Sequence, residues 1–226
     1  LNAIDTGLTT SGTTQHVYGV SSADDSLLVI DTSTMNQRQQ LSNNYDGITG
    51  MDNPSDLILV GTGTNTQIYV ASTDSGMINV FDRDESVGDL SFNSGKSVSL
   101  SGVTDLESNS SGTYVFALSG DDLVRYSRDT TTGALGGAQT YTLNGAGFSE
   151  VTLGAGDQYA YLLSDSGDTL TVVDVSGGTM SYVSQVSGVG LGLDAPSSIT
   201  VADTTVSGVR SVYVTASDGN SLTHFE

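Results

Sequence analysis

The chain has no cysteine and no tryptophan, only two prolines, and six basic residues against 26 acidic ones. Without cysteine there is no disulfide framework and no thiolate metal site. No apolar run reaches the roughly 18 residues that a membrane-spanning helix needs, so membrane insertion is not expected. The start, Leu1-Asn2-Ala3-Ile4-Asp5, has neither an initiator Met nor a basic leader, and reads as a processed product or a segment of something longer. The shortage of cations leaves a formal net charge of −20. Such a field repels nucleic acid and anionic membrane surfaces, and nucleic acid is not expected as a partner.

What the chain holds in quantity is turn chemistry. Glycine supplies 28 of the 226 residues, and 22 of the acids are Asp against four Glu. Gly, Asp, Asn and Ser provide the positive-φ and side-chain-bonded conformations of tight turns. Gly and β-branched residues lower helix propensity. Val, Ile and Tyr are too frequent for a disordered chain. Short strands joined by many turns are expected, with most of the acidity on the connections.

An internal repeat sets the class. Val17-Tyr18-Gly19-Val20 leads to residues 26–31, and Ile68-Tyr69-Val70-Ala71-Ser72 to 77–82. Val115-Phe116-Ala117-Leu118-Ser119 leads to 122–127, Ala160-Tyr161-Leu162-Leu163-Ser164 to 169–174, and Val212-Tyr213-Val214-Thr215-Ala216 to 221–226. Counted from the residue before each aromatic, the copies begin at 17, 68, 115, 160 and 212, with spacings of 51, 47, 45 and 52. That period suits propeller blades of roughly 40–50 residues and is too long for leucine-rich or ankyrin units. The turns between paired strands, such as Asp74-Ser75-Gly76 and Asp218-Gly219-Asn220, are what hairpins require. Inner strands are expected at 56–60, 150–153 and 198–201, and in weaker form at 2–5 and 104–107. Outer strands are expected at 89–92, 139–143 and 180–183. A four-stranded meander cannot cover both its faces, so neighbouring units must stack. The expected fold is all-β, a β-propeller of four-stranded antiparallel blades. One partial propeller domain spans 1–226, with blades near 1–50, 51–102, 103–147, 148–194 and 195–226.

His16-Val17-Tyr18 through Leu28-Val29-Ile30-Asp31-Thr32-Ser33 resembles the repeat of YVTN-type propellers. Arg125-Tyr126-Ser127-Arg128-Asp129 with Thr132-Gly133-Ala134-Leu135 resembles a blade of lactonase-like propellers. Phe81-Asp82-Arg83-Asp84 with Gly88-Asp89-Leu90 is a looser copy. This resemblance covers nearly the whole chain and implies the fold. It implies no single activity, because these repeats are structural and family members differ in what they do. The fifth copy stops at Phe225-Glu226, within its third strand, and residues 1–15 have room for about one strand, which the first copy needs. The array is therefore expected to be part of a larger propeller of six to eight blades, its open edges covered by further blades or a partner.

Candidate site residues are few. His16 and His224 lie in strand patterns without a third ligand nearby and read as ordinary strand residues. Asp24-Asp25, Asp74, Asp121-Asp122, Asp165 with Asp168, and Asp218 recur at one blade position and so share one face. Calcium takes such oxygen ligands, but none of these turns has the alternating acids and closing Glu of a dedicated calcium loop. Turn chemistry accounts for them; calcium is the one cofactor left open. Glu85, Glu107, Glu150 and Glu226 are scattered, and no paired carboxylates can be singled out among so many Asp. Gly188-Val189-Gly190-Leu191-Gly192 opens no helix and reads as an inter-blade loop rather than a phosphate cradle. Asn109-Ser110-Ser111 is a lone glycosylation sequon. Arg125 and Arg128 are expected to be ion-paired on the surface.

No catalytic or cofactor-binding residue is assigned, and the balance leans away from an enzyme. The expectation is a non-catalytic binding or assembly module of a secreted or cell-surface acidic protein, bacterial or archaeal, with a periplasmic setting also open. A protein, a surface glycan or the remaining blades of the same parent would be its partner. Two alternatives stand beside it: a fragment of a lactonase-like hydrolase, and a structural subunit of a surface layer or filament.

Overall fold

The structure, a computed structural model, describes residues 2–8, 15–144, 147–203 and 210–226. Leu1 and residues 9–14 of the opening stretch lie outside the described residues. Among the described residues, twenty strands form five antiparallel sheets. The first sheet orders β1 (Ala3–Leu8), β2 (Gln15–Ser21), β3 (Ser26–Asp31) and β4 (Asn36–Ser42). The second orders β5 (Pro54–Val60), β6 (Gln67–Ser72), β7 (Met77–Arg83) and β8 (Leu90–Phe92), with β9 (Val98–Ser99) also pairing β7. The third has β10 (Val103–Ser108), β11 (Tyr114–Ser119), β12 (Asp122–Arg128) and β13 (Leu135–Thr142). The fourth has β14 (Glu150–Leu153), β15 (Tyr159–Ser164), β16 (Thr169–Asp174) and β17 (Ser181–Ser187). The fifth sheet has three strands, β18 (Pro196–Asp203), β19 (Arg210–Ala216) and β20 (Ser221–Phe225).

The blade pattern follows from the sequence with two additions. β4 was not among the outer strands expected, because Asn36-Gln37-Arg38-Gln39-Gln40 lacks apolar alternation. The short β9 is likewise new. Second strands are buried along their length, as in Gln67–Ser72, because both their faces are covered. Outer strands β13 and β17 are exposed along almost all of theirs, and their polar residues match. Both prolines begin an inner strand at a register shift, Pro54 against Ser72 and Pro196 against Ala216, where a missing N–H disrupts no ladder.

The chain divides into two compact units: Leu1–Val115 with Tyr126–Gly137, and Phe116–Arg125 with Ala138–Glu226. In the first unit Tyr18, Leu27 and Val29 pack against Leu57, Ile68, Phe81 and Leu90, joined by Ile48 and Met51 from the connection. In the second, Phe116, Leu118 and Leu123 pack with Val151, Leu162 and Val173. Tyr161, Leu163 and Leu170 pack with Ile199, Val212 and Val214.

A polar clasp repeats within the first unit. β7 and β12 both end on arginine, Arg83 and Arg128, and five residues further on stand Gly88 and Gly133, at φ +78° and +77°. The tyrosine of the preceding sheet reaches into each turn. Tyr18 donates its hydroxyl to the Gly88 carbonyl at 2.9 Å and accepts from Arg83 Nε at 2.6 Å. Tyr69 donates to the Gly133 carbonyl and accepts from Arg128 Nε, both at 2.6 Å. Burial pushes the Tyr69 hydroxyl up to about 12 and that of Tyr18 upward as well, so both remain protonated donors. At the next such place, in the second unit, the aromatic is Phe116, which has no hydroxyl, and the residue after β16 is Val175 in place of arginine. Those two are buried in one apolar cluster.

The clasp leaves no room at its glycines. A Cβ on Gly133 would stand 2.1 Å from Gln67 Oε1, in a backbone region that L-residues rarely enter. Gly133→Ala should therefore destabilise the protein by about 2 kcal/mol or more in urea unfolding. Gly178→Ala, with nothing within 4 Å of the added carbon, should stay within about 0.5 kcal/mol of the parent. Equal effects at the two positions would disprove the clasp's tight fit.

Candidate functional site

The acidic turns are spent on architecture. Asp25, Gly76, Asp168 and Asn220 all close four-residue hairpin turns at positive φ. Asp25 Oδ1 accepts the N–H of Asn53 at 2.8 Å, and Asp168 Oδ1 that of Ala195 at 2.9 Å. Asn53 and Ala195 are themselves left-handed and precede the two prolines, so each carboxylate holds a strained corner where the next sheet begins. Asp121 Oδ1 accepts from Gly147 N–H at 2.7 Å, the same tie after the third sheet. Asp74 accepts from the Asn53 side chain, Asp24 from Ser21, Asp122 from Thr142, Asp165 from the Ser166 N–H, and Asp218 from Ser217. Among the described residues no three His, Cys, Asp or Glu side chains converge to hold a metal ion.

The remaining candidates also find places. His224 meets Ser211 Oγ at 2.9 Å and stacks on Tyr213. His16 is buried beneath Gly88, where burial and the Arg83 charge hold its imidazole below the ordinary value and so neutral. Asn109 spends its amide on its own turn, bonding Ser111, Thr113 and Tyr114. Val189–Leu191 forms one 3₁₀ turn between the fourth and fifth sheets, as an inter-blade loop should. Glu85 pairs with Arg83 at 2.6 Å.

The expectation for Arg125 and Arg128 is corrected. Both are buried, at 4% and 5% exposure. Arg125 donates to the carbonyls of Val175, Gly177 and Gly178, gripping the turn that follows β16. Arg128 makes the clasp. Backbone carbonyls at the blade seams, rather than surface acids, draw these guanidinium groups inward.

The inner strands hold a group of acids that spacing alone did not single out. Asp5 on β1 accepts the Leu59 N–H of β5 at 2.8 Å, Asp56 on β5 accepts the Leu106 N–H of β10 at 2.9 Å, and Glu150 on β14 accepts the Ile199 N–H of β18 at 3.2 Å. Asp56 also shares a side-chain hydrogen bond with Asp105 of β10. Burial, opposed by the Leu106 and Leu57 N–H groups and by Asp105, and reinforced by the Asp5 charge, raises Asp56 from 3.8 to about 6. Both aspartates are half-buried and stay open to solvent. A signal was present in the chain: Ser55-Asp56-Leu57 and Thr104-Asp105-Leu106 occupy the same place in consecutive copies.

No protein-family model and no curated protein matches the chain. Solved structures do. A candidate 6-phosphogluconolactonase from Bacteroides fragilis is similar over 100% of this chain and 70% of its own, with 15% identity and a TM-score of 0.67. A functionally unknown protein from Desulfotomaculum acetoxidans matches over 99% and 68%, at 14% identity and a TM-score of 0.69. The periplasmic gluconolactonase of Pseudomonas aeruginosa matches over 80% and 53%, at 17% identity and 0.64. At such identities the likeness establishes the fold alone: an all-β array of four-stranded propeller blades.

The raised Asp56 value has a stability consequence with a definite sign. A carboxyl group titrating higher when folded contributes stability that is complete below 3.8 and is lost as pH rises through about 6. Asp56→Asn removes that loss, so its melting temperature should gain on the parent between pH 4 and pH 7. A difference that stays constant over this range would rule out the shift.

Proposed function

We propose that this chain is a blade array of a lactonase-like hydrolase, with the Asp56–Asp105 pair as its acid and base. The pair carries the reading, since two hydrogen-bonded carboxyl groups stand side by side at half-buried positions, and burial raises one of them, Asp56, to about 6. The ionised carboxylate takes a proton from water, whose oxygen attacks the lactone carbonyl carbon. The ring C–O bond then breaks, and its oxygen takes the proton held by the other carboxyl group. The product is a hydroxy acid, and the pair has exchanged its protonation states. The net charge of −20 favours an uncharged sugar lactone over a phosphorylated one. The lactonase descriptions of two similar structures accord with lactone hydrolysis, and the gluconolactonase from Pseudomonas aeruginosa with an unphosphorylated sugar lactone.

A second reading, the non-catalytic binding or assembly module, is favoured by one observation. The carboxylates of Asp5, Asp56 and Glu150 each accept a main-chain N–H from the neighbouring inner strand, a use that needs no substrate.

Hydrolysis of glucono-δ-lactone, followed by proton release against a buffer blank, separates the two. The hydrolase reading expects a rate greatest where the pair holds one proton, near pH 6. It expects falls of about 10²-fold or more in Asp56→Asn and Asp105→Asn, each checked for native circular dichroism. No rate above the blank, or a rate indifferent to both substitutions, would leave the binding module.

A further inference from the structure

Arg83 and Arg128 hold the same place in consecutive sheets and make the same first bond, Nε to a tyrosine hydroxyl. They differ in what neutralises them. Arg83 Nη1 meets Glu85, and both side chains are buried. Two residues past Arg128 the chain has Thr130, which is exposed. The aspartates that follow the two arginines do not replace Glu85. Asp84 turns its carboxylate to Ser86, and Asp129 turns its own to the N–H groups of Thr131 and Thr132.

Among the described residues, every hydrogen-bond acceptor of Arg128 is neutral. Nη2 reaches the carbonyls of Val60 and Asn65 and the Gln67 side chain, and Nη1 reaches the Gly112 carbonyl at 3.1 Å. Among the described residues Arg128 makes no ion pair. Nη1 carries two N–H groups, and Gly112 takes one. The other stands on the atom that, in Arg83, meets Glu85. Beside it opens a cavity of about 310 Å³, walled by Thr62, Ser110, Ser111, Gly112, Arg128 and Thr130. The matching cavity beside Arg83, about 570 Å³, has Glu85 in its wall.

We propose that the cavity at Arg128 binds a small carboxylate anion, which takes there the place that Glu85 takes at Arg83. The guanidinium supplies the charge and one directed N–H, and the surrounding hydroxyl groups suit the second carboxylate oxygen. The protein's own negative field opposes the anion, so affinity on the order of millimolar is expected, weakening little with added salt because the cation is buried. The site stands independently of the hydrolase reading, since it uses neither Asp56 nor Asp105.

Acetate is the probe, titrated against the whole protein at constant ionic strength with chloride as the balancing anion. Amide NMR shifts around Gly112 and Thr130 and the melting temperature are read together. The parent should show one saturable site and a rise in melting temperature. Thr130→Glu, which supplies the carboxylate internally, should weaken acetate binding at least tenfold and melt higher than the parent without acetate. Glu85→Thr should gain a second site, at Arg83. Either of two results overturns the proposal: no saturable shift in the parent, or a Thr130→Glu response equal to the parent's. If Glu85→Thr fails to fold, Thr130→Glu decides alone.

Discussion

A buried guanidinium bound to carbonyl oxygens and a tyrosine hydroxyl is the interaction on which the first unit depends. A four-stranded sheet has no core of its own, and apolar contact alone lets neighbouring sheets slide over one another. Tyr18–Arg83–Gly88 and Tyr69–Arg128–Gly133 fix the register, because each partner has directed bonds and Gly alone fits beneath the turn. Leaving any member unpaired would bury a polar group at a cost of about 1–3 kcal/mol. Where the hydroxyl is missing, at Phe116, the arginine is missing too, and Val175 completes an apolar contact.

The acids divide into two roles by depth. Those on the hairpin turns hold left-handed corners at the entry to the next sheet, as Asp25 does for Asn53 and Asp168 for Ala195. Those on the inner strands accept main-chain N–H groups from the adjacent inner strand, as Asp5, Asp56 and Glu150 do. At Asp56 and Asp105 two carboxyl groups meet, and there burial, with the Asp5 charge behind it, raises Asp56 to about 6 against the hydrogen bond from Asp105. Sheet architecture and acid–base chemistry thus draw on the same residues.

The blades were legible because their second and third strands are buried runs bounded by turn residues, each announced by an aromatic. Tyr69 and Tyr161 could be aligned by eye. β4 escaped because its first five residues, largely exposed, include no apolar one, and its Gln39 works through a side chain that bonds both main-chain groups of Leu90. The carboxyl pair was hidden for another reason. With 22 Asp in the chain, closeness between two of them depends on which inner strands become neighbours, a fact of three dimensions. Arg125 and Arg128 misled for the opposite reason: charge suggested the surface, whereas carbonyls at the sheet seams hold both inside.

Drawing arginine inward leaves few cations on the exterior formed by the described residues. Arg83, Arg125 and Arg128 are buried, and Arg38 and Lys96 are each committed to one aspartate. The outer surface therefore behaves as a polyanion, and most of its Asp side chains must be balanced by dissolved ions. In dilute medium, molecules of this kind keep one another at a distance. In brine or seawater, where the Debye length shrinks to a few ångströms, that spacing collapses while the solvation of the carboxylates keeps the protein dissolved.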